Sequence, residues 1–152
     1  MNPAEANDTI IKEIIIHAPA ERVFEALSNP EQRVKWWGAE GRFQATHMES
    51  DLRPGGAWLM RGIAAGDKPF TLRGEYRSIE RPWLLEFTWL PDWQEPQTLV
   101  RFDLEEQDGS TTVRITHSGF TDGASRDRYQ GWPWLLTFLQ AYVENKARGS
   151  DV

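Results

Sequence analysis

Residues 98–117 read TLVRFDLEEQDGSTTVRITH, and their punctuation decides the fold. Val100, Phe102 and Leu104 alternate with Arg101, Asp103 and Glu105; Val113, Ile115 and His117 then alternate with Thr112, Arg114 and Thr116. Period-two alternation of this kind marks strands with one covered face and one wet face. Between the two runs, Asp108-Gly109 suits the positive φ values of a tight hairpin turn. The two runs therefore read as antiparallel neighbours whose bulky faces need a cover.

Upstream the same pattern repeats. The candidate strands are Phe43–Glu49, Ala57–Ile63, Pro69–Ile79, Leu84–Leu90, Thr98–Glu106 and Thr111–His117. Their connections are Pro54-Gly55-Gly56, Gly66-Asp67, Arg81-Pro82 and a longer Pro91–Gln97. Thr9–His17 (TIIKEIIIH) is isoleucine-rich and adds a seventh strand, ended by Ala18-Pro19. Pro19–Leu27 places Val23, Phe24 and Leu27 at helical spacing, and Ser28-Asn29-Pro30 breaks that helix. A second short helix, Glu31–Trp36, stops at Gly38.

At the far end Tyr129, Trp132, Leu135, Leu136, Leu139, Tyr142 and Val143 form one broad apolar stripe reaching Lys146. Gly131 and Pro133 interrupt it, so either the helix begins near Trp132 with Pro133 in its first turn or an earlier helix kinks there; a long helix with a disturbed ladder around 130–133 is the expectation. The pattern is α+β: a seven-stranded antiparallel sheet, a long C-terminal helix, and two short helices after strand 1. One domain spans 9–147, and 1–8 and 148–152 read as flexible tails.

Composition narrows the function classes. The 152 residues carry 17 basic and 23 acidic side chains, a formal charge of −6, which disfavours nucleic-acid or anionic-membrane binding. With no cysteine, disulfides, thiolate metal sites and cysteine nucleophiles are excluded. No stretch approaches the ~18 apolar residues of a membrane span, and Met1–Thr9 lacks the pattern of a signal segment. A cytoplasmic protein is the expectation.

Eight tryptophans, seven phenylalanines and three tyrosines are the unusual feature. A single helix about 10 Å wide does not fill the concave side of a curved seven-stranded sheet. The aromatic rings therefore either wall a cavity or plug it.

Polar candidates are few. His17, His47 and His117 have no partners at metal-ligand spacing, and no Gly-x-Ser-x-Gly elbow occurs. His117 shares the apolar face of Val113 and Ile115, where an imidazole would hydrogen-bond a ligand oxygen, shuttle a proton, or be satisfied internally. Glu75, Arg77 and Arg61 are candidate anchors or solvated surface charges; Arg61 shares a side with Leu59 and Ile63, opposite Trp58 and Met60, so the inward side is open. Asp51, before Arg53 and the Pro54-Gly55-Gly56 turn, reads as a turn cap acting through its own backbone. Trp83, Trp89 and Trp93 with Pro91 and Pro96 form an aromatic strand end and loop, either a cavity mouth or a protein contact.

The order of several short motifs resembles a known family. Ala18-Pro19, then Val23-Phe24-Glu25-Ala26-Leu27, Asn29-Pro30-Glu31 and Trp36-Trp37-Gly38 are similar to the opening of activator of heat-shock-protein-90 ATPase homologue-like proteins. These belong to the START-like, birch-pollen-allergen-like (SRPBCC) superfamily. Asp51-Leu52-Arg53-Pro54-Gly55-Gly56, Gly74-Glu75-Tyr76 before Pro82, and Gly131-Trp132 follow in the family's order. The resemblance implies a helix-grip fold, its sheet curved around the last helix, and a cavity for an apolar ligand. It implies structural roles for the Trp-Trp pair, the 51–56 loop and Gly131-Trp132, and no single activity.

The expected function is binding of a small hydrophobic or aromatic molecule between sheet and C-terminal helix, as a carrier or sensor. The expected lining is Trp58, Met60, Phe70, Tyr76, Phe87, Trp89, Phe102, His117, Trp134, Leu135 and Phe138, with His117 or Tyr76 orienting the ligand. No metal, cofactor or catalytic residue is assigned. The alternatives are a cyclase- or hydrolase-like enzyme using His117 or Tyr76 as acid/base, and a chaperone-partner module. A strand edge and the aromatic loop permit a homodimer.

Overall fold

Every alternating segment becomes a strand. In the computed structural model, which describes residues 9–39, 43–92, 97–121, 126 and 131–147, the chain runs β1 (Thr9–Ile16), α1 (Ala20–Ser28), α2 (Pro30–Trp36), β2 (Gly38–Ala39), β3 (Phe43–Ser50), β4 (Ala57–Ala64), β5 (Lys68–Glu80), β6 (Leu84–Pro91), β7 (Thr98–Gln107), β8 (Ser110–Ser118) and α3 (Trp132–Ala147). The proposed tails, and Trp93, Pro96 and Tyr129, lie outside the described residues.

The strands form one antiparallel sheet in the order β1-β8-β7-β6-β5-β4-β3-β2. The seven expected strands are all present. The two-residue β2 extends the sheet beyond β3, pairing Gly38 with Gln44 and Ala39 with Phe43. The decisive hairpin has Gln107 opposite Ser110, with Asp108 and Gly109 at φ 53° and 81°. Both turn residues are left-handed, the condition for a two-residue hairpin that matches strand twist.

Register then stacks the bulky faces. Ile10 and Val100 flank His117, Ile115 faces Phe102, Phe102 faces Leu85, and Phe87 faces Tyr76. The register shifts between Ala45 and His47 and between Tyr76 and Ser78, and such bulges bend a strand and increase its twist. Near the second shift the backbones approach closely at Gly74. A Cβ there would collide with the Thr88 carbonyl oxygen and the Trp58 indole nitrogen. Glycine thus lets Trp58 Nε1 donate to Thr88 O at 3.2 Å.

Asn29 separates the two short helices. Its backbone N–H closes α1 on Glu25 O, and its side chain caps α2 by accepting from Glu31 N at 2.9 Å. Regular α3 begins at Trp132 with Pro133 in its first turn, where a missing N–H costs nothing. Trp134 N and Leu135 N both bond Gly131 O, an ordinary first turn, so the expected disturbed ladder is not found among the described residues; residues 127–130 lie outside them. Trp132, Leu135, Leu136, Leu139 and Val143 are buried along one stripe of α3. That stripe packs on β1 and on the two short helices, closing the concave side of the sheet.

Candidate functional site

The concave side holds a continuous aromatic cluster assembled from β4, β5, β6, β7, α2, α3 and the residue after α2. Trp58 meets Phe87 at 5.3 Å between ring centroids and Trp89 at 5.8 Å. Trp89 in turn meets Trp37 at 5.7 Å and Trp132 at 6.0 Å. Phe87 contacts Tyr76 and Phe102, and Phe102 contacts Trp132 edge-on. Tilted and edge-to-face arrangements are those that ring quadrupoles favour. The rings expected to wall a hollow therefore touch one another, and Trp36, Trp37 and Trp132 join them.

Placement of the expected lining residues divides them. Trp58, Met60, Tyr76, Phe87, Trp89, Phe102, His117 and Leu135 are buried on this side, and Phe70 and Phe138 are half-buried against it. Trp134 is a correction. It is 50% exposed, because with the helix starting at Trp132 the inward positions fall to 132, 135, 136 and 139. The undecided β4 faces are resolved as well: Trp58 and Met60 point in, while Arg61 is exposed.

His117 is fully buried and fully engaged. Trp132 Nε1 donates to its Nδ1 at 3.2 Å, and Nε2 lies 2.7 Å from Thr98 Oγ1. An Nδ1 that accepts from an indole N–H must be unprotonated, so the neutral ring carries its hydrogen on Nε2 and donates it to Thr98. Burial pushes its pKa down to about 3. Phe120 lies tilted against it at 4.5 Å between centroids, and Trp89 meets it edge-on at 5.7 Å. Both nitrogens are used within the protein, so in this arrangement His117 offers a ligand neither donor nor acceptor.

Arg33, which the sequence reading passed over, is the opposite case. It is 2% exposed and lies inside the cluster, its guanidinium carbon 4.5 Å from the Trp37 ring centroid, 5.6 Å from Trp36 and 5.7 Å from Phe87. Nη1 donates to Leu27 O at 3.0 Å, one of the unpaired carbonyls at the C-terminus of α1, where the helix dipole favours a cation. Nε and Nη2 are buried without a hydrogen-bond partner. No ion pair among the described residues includes Arg33. Burial lowers its pKa to about 10, so it stays a cation at neutral pH.

Tyr76 is near enough for its phenol and Arg33 to influence each other electrostatically. Burial raises the phenol's pKa, against a 2.6 Å hydrogen bond with Ser50 Oγ. The sequence signal for Arg33 was its spacing. Trp36 and Trp37 follow it by three and four residues, a spacing that in a helix brings side chains to one side.

The remaining charged candidates are surface groups. Glu75 and Arg77 are exposed 3.9 Å apart, and His47 pairs with Glu49 at 2.8 Å. Asp51 closes its turn through the backbone, its carbonyl oxygen accepting from Arg53 N at 2.8 Å and its N–H donating to Ala57 O at 2.9 Å, while its carboxylate accepts from Arg53 Nε at 2.8 Å. His17 Nδ1 meets Ser110 Oγ at 3.0 Å. Among the described residues no cluster of three metal-ligating side chains occurs, and no helix is long and apolar enough to cross a membrane. A surface groove of about 310 Å³ lies between α1, α2 and Arg81, whose guanidinium is paired with Glu21 and Glu25 at 2.6 Å each. Trp83 is half exposed on the aromatic strand end.

Comparison with known proteins agrees with this architecture. The crystal structure of protein CV1439 from Chromobacterium violaceum is 28% identical and superposes with a TM-score of 0.81, covering 90% of this chain and 97% of that one. Protein NE0264 from Nitrosomonas europaea is 17% identical with a TM-score of 0.81, over 94% and 98% of the two chains. CalU16 from Micromonospora echinospora is 21% identical with a TM-score of 0.68, over 92% and 78%. No curated protein matches the chain in sequence. The family model described as "Activator of Hsp90 ATPase homolog 1-like protein" matches residues 17–144, which take in both short helices, the sheet from β2 onward and most of α3. With that match spanning most of its length and the helix-grip architecture around it, this chain belongs to the activator of Hsp90 ATPase homolog 1-like family.

Proposed function

We propose that the protein binds a small hydrophobic or aromatic molecule among the rings between the sheet and α3, as a carrier or sensor. The observation that carries this reading is the make-up of the interior. Touching aromatic rings from six elements, set in an apolar core, enclose the Arg33 guanidinium, whose Nε and Nη2 are unpaired, with the Tyr76 phenol close enough to interact with it electrostatically. That combination, apolar walls with sparse polar groups fixing orientation, is typical of small-molecule sites. Affinity would come mainly from apolar area removed from water, at roughly 25 cal/mol per Å².

Because the rings touch one another, entry of a ligand requires them to move apart. Tryptophan emission therefore reports binding directly. Titration of the purified chain with 1-naphthamide, 1-naphthoate and a medium-chain fatty acid is expected to change tryptophan fluorescence saturably, and native mass spectrometry is expected to find a copurified small molecule. Unchanged emission with every probe, together with a bare protein mass, defeats the reading. The enzyme alternative loses its leading acid/base candidate, since His117 is neutral and internally satisfied.

A further inference from the structure

Arg33 Nη1 is bound to Leu27 O, while Nε and Nη2 are buried and unpartnered. The two unused nitrogens are not a random pair. Nε–H and one N–H of Nη2 point the same way from one edge of the planar guanidinium, the edge that receives the two oxygens of a carboxylate in a bidentate pair. Leaving such donors desolvated costs free energy for each group, more when the donor is charged. Among the described residues no ion pair involves Arg33, and its neighbours include Leu27 O, Trp36, Trp37, Phe87 and the phenol of Tyr76.

We infer that Arg33 is the anchor for the carboxylate of an aromatic or similarly apolar monocarboxylic acid. This rests on the ligand-binding reading above and names the class of ligand. One guanidinium edge takes one carboxylate, and the positive charge is neutralised once, so a monoanion is matched and a dianion is not. The apolar body lies among the rings around the guanidinium, which itself covers a face of Trp37 and of Phe87. Fixing the cation on the α1 C-terminus through Nη1 and on the Trp37 face orients the free edge before the ligand arrives, so less rotamer freedom is lost on binding. A neutral carboxamide of the same shape has one acceptor oxygen and an NH₂ that would face a donor.

The test uses matched probes on the full chain at neutral pH. Calorimetric titrations compare benzoate with benzamide, phenylacetate with phenylacetamide, and 1-naphthoate with 1-naphthamide. At least one acid is expected to bind tenfold or more tightly than its amide. Arg33→Met is expected to remove that preference while amide binding persists, and Arg33→Lys to restore part of it, since an ammonium supplies charge without the fork. A second measurement needs no variant. A carboxyl-¹³C-labelled acid bound to the wild-type protein should remain ionised at pH values where the free acid is protonated. Equal binding of acids and amides, or a bound acid that titrates like the free one, overturns the anchor and leaves the ligand-binding reading standing. Failure of every probe to bind overturns the anchor, and together with a bare protein mass it removes the ligand-binding reading as well.

Discussion

Two buried cationic-type side chains sit within the same aromatic cluster and end in opposite states. His117 comes from the end of β8, and each ring nitrogen has a protein partner, Thr98 or Trp132. Arg33 comes from α2 and keeps two of its three nitrogens without one. Burial drives His117 to the neutral form, so it behaves as a polar component of the core. Arg33 resists neutralisation because its intrinsic pKa is so high that even full burial leaves it charged at pH 7. Burial among aromatic rings therefore does not by itself identify a binding group. What separates the two is hydrogen-bonding capacity left unused.

The largest way to break the comparison is to remove the tryptophan that serves the histidine. Trp132 fills space beside Trp37, Trp89 and Phe102 and donates to His117. Trp132→Ala is expected to cost about 3–5 kcal/mol in urea unfolding from the cavity alone, and it also leaves His117 Nδ1 unsatisfied. A loss below about 1 kcal/mol would mean that the histidine end of the interior is loosely packed.

Next in size is the pH dependence. The folded-state pKa of His117 lies near 3, below its ordinary 6.5, so between those values the unfolded chain takes up a proton that the folded chain refuses. Stability is then intact above pH 6.5 and falls as pH drops toward 3, by about 1.4 kcal/mol per pH unit from this group. Chemical denaturation at pH 7 and pH 5 should show the fall, and His117→Gln should reduce it. An unchanged slope in that variant would place the proton uptake elsewhere.

The smallest effect is expected at Arg33. Replacing a buried, incompletely paired charge by an apolar side chain of similar length is often neutral or stabilising. Against that relief stand one hydrogen bond to Leu27 O and the contact with the Trp37 face. Arg33→Met should therefore unfold within about 1 kcal/mol of wild type in ligand-free buffer. A loss above about 3 kcal/mol would show that the guanidinium is a structural clamp between α1 and α2, as satisfied as His117.

Much of the architecture was readable because strand alternation and turn chemistry are local. Asp108-Gly109 takes left-handed φ values in the structure, and Pro19, Pro30 and Asn29 stand at the ends of the short helices. The same local reasoning placed Phe87, Trp89, Phe102 and His117 on one face, since a side-chain period of two leaves no other assignment once the strand is known. It failed for β4, where Trp58 and Met60 on one side faced Leu59, Arg61 and Ile63 on the other. Both sides were partly apolar, and only the sheet's position against α3 decides between them. It failed also for Trp134, expected in the lining although the stripe of Trp132, Leu135, Leu136 and Leu139 leaves that position on the outer side of α3.

The sequence by itself determined which segments form strands and helices, the number of long strands, and the aromatic character of the covered face, because each of these depends on neighbours a few residues away. Tertiary structure alone decided that the rings meet across the concave side, that Thr98 and Trp132 satisfy His117, and that Arg33 is enclosed with one edge unused. Hydrogen-bond satisfaction in an interior depends on groups brought together from distant parts of the chain, and only the closed sheet and its last helix bring them within reach.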